Sequence, residues 1–368
     1  MKKDWTYKKL GEVCDLYQPK TISAKELVED GMYPVYGANG IIGKYDKYNH
    51  ENSELLMTCR GATCGTINVS VPYSWINGNA MVIHPKSDIV SIPFLAYQLK
   101  GIDLSDVITG AAQPQITRQT LTNKVISIPS SNSQQQIVAE LDLLSDVIEK
   151  QKAQIEELNK LAQSIFYDMF GDPVTNEKGW EVKKIGEIGN VERGAGISKK
   201  DFVEEGLPCI HYGQLHTCLG ATTHEHKTCI PKDLLPKYKI AHPGDVIMAI
   251  TSEDVEGSCT STAWLGDYDI VVGSDAAIFH HSINGVYISY YTRTKAFYNE
   301  KAKYAKGFKV THISTSEIET IPIPLPPLSL QQEFAAKIEA IEVMKAKVRQ
   351  SLKESETLFN SRMDYYFN

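Results

Sequence analysis

Three cysteines and four histidines crowd into one stretch in the second half of the chain: Cys209, His211, His216, Cys218, His224, His226 and Cys229. Thiolate sulfur and imidazole nitrogen are preferred zinc ligands, so a structural zinc site is one interpretation of this stretch. Zinc ligands usually come in matched pairs two to four residues apart, and the spacings here are uneven. The pattern therefore favours buried thiols and polar loop histidines, and no metal site is predicted.

Other catalytic chemistries lack their residues. The stretch Gly37 to Lys44 has one residue too many between its glycines for a phosphate-binding loop, and Tyr45 stands where Ser or Thr belongs. Cys209 and Cys259 lie in no recognisable nucleophile motif. Adenine methyltransferases hold a flipped base with a Pro-Pro-aromatic motif, but here Leu328 follows the two prolines. We predict a protein that is not an enzyme and carries no cofactor.

The chain contains two copies of one unit. The opening WTYKKLGEVCDL at Trp5 returns as WEVKKIGEIGNV at Trp180, 175 positions later. The closing VISIPSSNSQQQIVAEL from Val125 returns as PIPLPPLSLQQEFAAKI from Pro322, 197 positions later. The second copy is therefore about 22 residues longer inside. Such a duplication suits a partner with two similar surfaces, of which double-stranded DNA is the commonest.

Each copy ends in a predicted long helix, over residues 133–170 and 329–368. In the first helix the apolar positions alternate steps of four and three, which is the seam of a coiled coil. With one polar member, this seam consists of Ile137, Leu141, Leu144, Ile148, Gln151, Ile155, Leu158, Ala162, Ile165 and Met169. The second helix carries a weaker version of the same seam, so we expect the two helices to pack antiparallel. Ser133 and Ser329 are the predicted N-caps, and Gly171 to Pro173 should end the first helix.

The body of each copy, over residues 1–132 and 171–328, is predicted to be mixed α/β. Buried strands are expected at Glu54–Met57 and Asn77–His84, with counterparts at Asp245–Met248 and Gly273–His280. Short helices are expected at 92–100 and 287–305. Glycine-rich turns separate the strands, and we expect a twisted, partly barrel-like sheet.

Composition excludes several classes of protein. With 42% hydrophobic and 23% charged residues the chain is typical of soluble globular proteins. No apolar run approaches the ~20 residues of a membrane helix, and the lysine-rich start lacks a signal-peptide core, so we expect a cytoplasmic protein without membrane contact. The net charge of −7 is unusual for a nucleic-acid-binding protein.

One basic stretch in the second copy weakens the argument from net charge against nucleic-acid binding. It combines six basic residues with interleaved aromatics: Arg293, Lys295, Lys301, Lys303, Lys306 and Lys309, with Tyr290, Tyr291, Phe297, Tyr298, Tyr304 and Phe308. The pattern fits a surface that grips phosphates. It fits equally a solvated helix face whose aromatics are buried in the core.

Together these motifs resemble the specificity subunits of type I restriction-modification systems. The resemblance covers essentially the whole chain, through the repeated W-x-x-K-K-[LI]-G-E, the stretches IPIPLPPLSLQQ and ISIPSSNSQQQ, the long helix after each, and MFGDP at Met169. It implies two target recognition domains that each read half of a split DNA site, held apart by two antiparallel helices. It also implies two methyltransferase subunits and endonuclease/translocase subunits as partners. A coiled-coil scaffold that joins proteins without touching DNA is the alternative.

Amides and guanidinium groups on glycine-rich turns can reach the edges of bases, so such residues are the candidate DNA contacts. In the first copy the candidates are Lys20, Tyr36, Asn39, Lys44, Arg60, Asn77, Gln113, Gln115 and Arg118. In the second copy they are Arg193, Lys199, Lys200, Tyr212, Gln214, Ser252, Lys306, Lys309 and His312. Ordinary hydrogen bonding within the turns is the alternative role for each.

Overall fold

The structure is a computed structural model that describes residues 4–110, 113–232, 238–305 and 310–368. The chain divides into two compact units. Unit 1 comprises Met1–Ala153 and Arg349–Asn368, and unit 2 comprises Gln154–Val348. Each unit therefore contains one copy of the duplicated body, part of the first long helix and part of the second.

The first copy and its long helix contain β1 (Thr6–Lys9), α1 (Leu10–Val13), β2 (Cys14–Tyr17), β3 (Tyr33–Gly37), β4 (Gly40–Tyr45), β5 (Leu55–Thr58), β6 (Ile67–Val69), β7 (Trp75–Ile76), β8 (Ala80–Pro85), α2 (Ile92–Gly101), β9 (Ile108–Thr109), β10 (Gln115–Ile116), α3 (Arg118–Thr122), β11 (Val125–Ile128) and α4 (Ser131–Phe170). A short 3-10 helix covers Ala24–Glu26.

The second copy and its long helix contain β12 (Glu181–Lys184), α5 (Ile185–Ile188), β13 (Gly189–Arg193), β14 (Leu207–Ile210), α6 (Tyr212–Thr217), β15 (Thr222–Thr223), β16 (Thr228–Ile230), β17 (Lys239–Ala241), β18 (Val246–Ala249), β19 (Thr251–Ser252), β20 (Ser261–Trp264), β21 (Ile270–Val272), β22 (Ala276–His281), α7 (Gly285–Tyr291), α8 (Lys295–Lys301), β23 (Thr311–His312), α9 (Thr315–Ile318), β24 (Pro322–Leu325) and α10 (Leu328–Phe367). A second 3-10 helix covers Lys199–Asp201.

The sheets of the two units correspond. Unit 1 has sheets in the orders β2-β8-β5-β6 and β4-β3-β7, and unit 2 has β13-β22-β18-β20-β15 and β16-β14-β21-β17. The two-stranded sheet β1-β11 is matched by β12-β24, and each unit has a further two-stranded sheet, β9-β10 in unit 1 and β19-β23 in unit 2. The mixed α/β prediction is confirmed, but among the described residues no sheet closes into a barrel.

The two repeated motifs of each copy pair with each other as strands, which explains why both are duplicated. Strand β1 carries the Trp-x-x-Lys-Lys motif and pairs antiparallel with β11 of the Ile/Pro motif, and β12 pairs with β24 in the same way. The repeated glycine lies where the chain turns towards a neighbouring helix end. A Cβ on Gly11 would overlap the methyl group of Thr122, and one on Gly186 would lie 3.1 Å from Cβ of Glu319. Thr122 and Glu319 are again 197 positions apart.

The long helices run antiparallel. In unit 1, Arg362 near the end of α10 binds Glu140 near the start of α4 with Nη2 3.0 Å from Oε2, and Gln151 donates to Ser351 at 2.8 Å. In unit 2, the ring of Phe166 lies 5.7 Å from that of Phe334. These contacts pair the start of each helix with the end of the other.

The predicted seam holds at the start of α4 and shifts by one residue at its end. Ile137, Leu141 and Ile148 are buried, but Phe166 and Phe170 replace Ile165 and Met169 as the buried residues. A straight α-helix drifts relative to a seven-residue repeat, and both phenylalanines also pack on Tyr287 of α7. The same shift occurs in α10, where Met363 and Phe367 are buried.

Several predicted boundaries differ from the structure. Helix α4 begins at Ser131, and Ser130 rather than Ser133 accepts a first-turn hydrogen bond, from the Ser133 N–H at 3.3 Å. Helix α10 begins at Leu328, before Ser329. The predicted helix over 287–305 is two helices, α7 and α8, because Thr294 caps a new start by accepting from the Phe297 N–H. The expected stop after α4 is confirmed, with Gly171 at a φ of 76°.

Candidate nucleic-acid interface

In unit 2, the ends of several strands bring polar side chains together at one edge. Arg193 at the end of β13 donates from Nε to the Ser274 carbonyl at 2.9 Å, and its Nη2 lies 3.9 Å from the Asp275 carboxylate. The Thr251 hydroxyl lies 3.4 Å from that carboxylate and 3.2 Å from Nδ1 of His312. We call Arg193, Thr251, Ser274, Asp275 and His312 the second edge.

In unit 1, the corresponding strand ends form a similar edge. Arg60 follows β5 and forms an isolated antiparallel bridge with Gln115. The Thr58 hydroxyl lies 2.9 Å from Oδ1 of Asn39, in the turn between β3 and β4. Gln18 at the end of β2 donates from Nε2 to the Gly78 carbonyl at 2.8 Å. We call Gln18, Asn39, Arg60, Gly78 and Gln115 the first edge.

Four of the five positions in each edge are equivalent between the units, and Asn39 and Asp275 are the exceptions. Gln18 and Arg193 are 175 positions apart, and each donates to the same turn of its own unit, at Gly78 or Ser274. Gln115 and His312 are 197 positions apart, and each pairs with the residues after the equivalent strand, β5 or β18. The sequence prediction included Arg193 but missed Gln18. The repeat itself was the signal that would have found it.

Three predicted contacts are occupied inside their units. Asn77 is buried and accepts hydrogen bonds from the Ile22 N–H at 2.9 Å and from the Trp75 ring N–H at 3.2 Å. The hydroxyl of buried Tyr36 accepts from the Val71 N–H at 3.1 Å. Ser252 is buried as well. The polar groups of Asn77 and Tyr36 are thus already engaged in hydrogen bonds inside unit 1.

Two further predicted residues lie on helix α6 and are partly buried. Gln214 accepts from the His211 N–H at 2.8 Å and so helps to cap the helix, while Tyr212 packs against the His211 ring at 4.6 Å. Burial lowers the pKa of His211, and the charge of Lys199 acts in the same direction. This histidine is therefore held neutral near physiological pH.

The remaining predicted residues that the structure describes are exposed. In unit 1, Lys44 lies on β4, Arg118 begins α3, and Lys20 and Gln113 lie in loops. In unit 2, Lys199 and Lys200 begin the second 3-10 helix. Lys306 and Lys309 lie outside the described residues.

Four residues of the basic and aromatic stretch serve the core of unit 2, whereas Lys295 and Lys303 are exposed. Tyr290, Tyr291 and Phe297 are buried. Lys301 is 5% exposed and donates to the carbonyls of Glu256 at 2.8 Å and Ser258 at 2.5 Å. These residues are therefore not available to grip phosphates.

Cys209, His224 and His226 of the 209–229 stretch each have a different partner. Sγ of Cys209 lies 3.2 Å from the Thr228 hydroxyl, His224 lies 3.2 Å from the Glu339 carboxylate, and Nδ1 of His226 lies 2.6 Å from the Tyr268 hydroxyl. Within the described ranges, no three His, Cys, Asp or Glu side chains are grouped to hold a metal ion.

Burial makes the thiols of Cys59 and Cys259 poor nucleophiles. It raises the pKa of Cys59 to about 11 and that of Cys259 to about 12. At neutral pH both are therefore protonated. As for membranes, none of the helices described is both long and apolar enough to span one.

Comparison with known proteins matches this organisation. The model of the "Type I restriction modification DNA specificity domain" family matches residues 2–160 and 177–354. The specificity subunits of the type I restriction enzymes MjaVIII and MjaIX of Methanocaldococcus jannaschii are 23% and 25% identical to the chain. The alignments cover 92% of the chain in both cases, and 86% and 87% of the relatives.

Solved structures show the same fold. The crystal structure of the type I restriction-modification S subunit from M. genitalium has a TM-score of 0.60 at 14% identity, covering 99% of this chain and 96% of that one. A chain from a structure concerned with complex assembly and conformational transition of the type I R-M system has a TM-score of 0.55 at 17% identity, covering 100% of this chain and 98% of that one.

Proposed function

Because the chain belongs to the type I restriction modification DNA specificity domain family, we propose that it is the DNA-recognition subunit of a type I restriction-modification complex. Each unit reads one half of a bipartite, asymmetric DNA site. Partner subunits methylate adenine and cleave DNA at the direction of this subunit.

The observation that carries the proposal is the duplicated edge. Both units place polar side chains at equivalent strand ends, on backbone that is fixed by hydrogen bonds to neighbouring strands. Amide, guanidinium and imidazole groups are the side chains that read base edges. Two such edges in one chain fit a duplex target with two half-sites.

The chemistry of the edges supports an asymmetric target. The first edge presents Gln18, Asn39, Arg60 and Gln115, whereas the equivalent positions of the second edge include Arg193 and His312. Different donors and acceptors at equivalent positions select different bases. The predicted contacts at Lys20, Lys44, Gln113, Arg118, Lys199 and Lys200 are exposed and would add to phosphate or base binding.

Two methyltransferase subunits and endonuclease/translocase subunits are the proposed protein partners. In support, each unit exposes a leucine at an equivalent helix position. Leu358 in unit 1 is 50% exposed and Leu161 in unit 2 is 46% exposed, and the two are 197 positions apart. Exposed apolar side chains at equivalent positions suit two copies of one partner.

The test is co-expression of the full chain with its methyltransferase subunit, followed by single-molecule mapping of methylated adenines. We expect a split, asymmetric motif. The double variant Arg60→Ala with Gln115→Ala should change or abolish one half of that motif and leave the other half as it was. The control Gln135→Ala, at an exposed position of α4, should leave both halves unchanged.

The same experiment can overturn the proposal. A coiled-coil scaffold that does not touch DNA would give no motif in any variant. Base changes in both halves from the Arg60 and Gln115 double variant would contradict the assignment of one half-site to each unit.

A further inference from the structure

Gln115 and His312 occupy the same place in their own units. Gln115 and His312 are 197 positions apart. Their partners Arg60 and Thr251 are 191 positions apart, which is also the separation of Met57 and Met248 in strands β5 and β18. The register is also the same, because Gln115 is opposite Arg60 and His312 is opposite Thr251. The two units therefore present different side chains from one shared position.

The backbone on either side of this position is anchored in the same way in both units. The N–H groups of Ile116 and Ile313 donate to the carbonyls of Cys59 and Ile250 at 2.9 and 3.1 Å, and both isoleucines are buried. The next residue is the N-cap of α3 or α9. Since successive residues of an extended chain face opposite sides, burial of the isoleucine turns the preceding side chain outward.

Gln115 is chemically suited to adenine. Among the residues that the structure describes, none forms a hydrogen bond with its side-chain amide, and the side chain is only partly buried. An amide carries a donor and an acceptor side by side. In the major groove, adenine alone offers the matching pair, an N6 amino donor beside the N7 acceptor.

His312 is suited to a different set of bases because its neighbours favour one tautomer. The Asp275 carboxylate can only accept, so it takes the hydroxyl hydrogen of Thr251. The Thr251 oxygen then accepts from Nδ1–H of His312 at 3.2 Å. Nε2 of His312 is left as a bare acceptor, which pairs with an exocyclic amino group. Adenine and cytosine present such a group in the major groove, and guanine and thymine do not.

We infer that this one position determines a base pair in each half-site: Gln115 selects adenine, and His312 accepts adenine or cytosine. The inference rests on the proposed function, because it assumes that the two edges read DNA. It adds which residue discriminates between bases and which hydrogen-bonding groups it uses. The prediction is a half-site with a specified adenine and a second half-site with one position that is degenerate between adenine and cytosine.

The exchange of the two side chains tests this inference. The full chain is expressed with its methyltransferase subunit, and methylated motifs are mapped for the wild type, Gln115→His and His312→Gln. Gln115→His should relax one adenine of one half-site, because histidine lacks the paired donor and acceptor. His312→Gln should narrow the degenerate position to adenine, with preference over cytosine rising by about tenfold or more. The controls Gln135→His and His242→Gln change exposed residues outside both edges and should change neither half-site.

A third variant tests the tautomer directly. Asp275→Asn can donate to Thr251 through its amide, which frees the hydroxyl to donate to Nδ1 of His312. Nε2 then carries the hydrogen, and the position should admit guanine or thymine. This variant keeps the size of the side chain and gives a readout even where an exchange variant fails to fold.

The outcomes separate the inference from the proposed function. Absence of any split motif in the wild type would overturn the proposed function. A split motif whose bases are unaffected by all three variants would overturn only the assignment of this position. Complete loss of methylation in a variant that keeps its melting temperature and its partner would also count against the inference, because the position would then not be exchangeable.

Discussion

Replacing Gln134 with alanine should destabilise unit 1, because this side chain fastens the long helix to the body. Gln134 is 2% exposed in the first turn of α4. Its Oε1 accepts from the Ser91 N–H at 2.9 Å, at the start of α2. Its Nε2 donates to the carbonyls of Ile89 at 2.7 Å and Pro129 at 3.1 Å. Gln331 makes the equivalent bond to the Asn284 N–H at the start of α7 and one to the Pro326 carbonyl.

The magnitude follows from the groups left without partners. Each lost hydrogen bond at a buried site costs about 1 kcal/mol or somewhat more. Three bonds predict a loss of about 3–4 kcal/mol for Gln134→Ala, and two bonds predict about 2–3 kcal/mol for Gln331→Ala. For a domain of this size, about 1 kcal/mol lowers the melting temperature by about 2–4 °C. We therefore expect Gln134→Ala to lower the melting temperature of unit 1 by about 6–16 °C.

The duplicated glutamine pair provides the matched controls. Gln135 and Gln332 follow the buried glutamines directly and are exposed, so Gln135→Ala and Gln332→Ala should change the stability by less than about 0.5 kcal/mol. Calorimetric unfolding of the full chain measures all four variants. Equal effects of Gln134→Ala and Gln135→Ala would refute the reasoning. A shift in the unfolding transition of unit 2, rather than unit 1, in Gln134→Ala would also refute it.

Three further predictions follow from the same structure. Phe166→Ala should cost about 3–5 kcal/mol in denaturant unfolding, whereas Leu161→Ala at an exposed position of the same helix should be nearly neutral, and the reverse order would contradict the shifted seam. The hydrogen bond to Asp269 raises the pKa of His242, so the stability that it contributes is present below about pH 6.5 and lost as the pH rises through the folded value. Asp269→Asn should bring the pKa of His242 back towards its ordinary value in an NMR titration, with a small effect on stability because both side chains are exposed. With a net charge of −7, the chain alone should bind DNA weakly at physiological salt and gain affinity with its methyltransferase subunit, and tight, selective binding by the isolated chain in a salt titration would contradict this.

The sequence alone determined the features that repeat or are periodic. The offsets of 175 and 197 identified two equivalent units, and the four-three pattern identified α4 and its antiparallel partner, because periodicity encodes which helix face is buried. The same offsets relate Gln18 to Arg193 and Gln115 to His312. The sequence did not show which turns these side chains contact.

Only the tertiary structure decided which polar side chains in the turns are buried and which are exposed. Nothing local distinguishes Asn77, whose amide is buried against Ile22 and Trp75, from Asn39 in another glycine-rich turn of the same unit. The spacing of three from Ile137 places Gln134 rather than Gln135 on the buried side of α4, but only the structure shows that Ser91 at the start of α2 is its hydrogen-bond partner. The physical reason is that a polar group in a loop is satisfied equally well by water, by backbone or by a ligand, and the partner is fixed by segments far away in the chain.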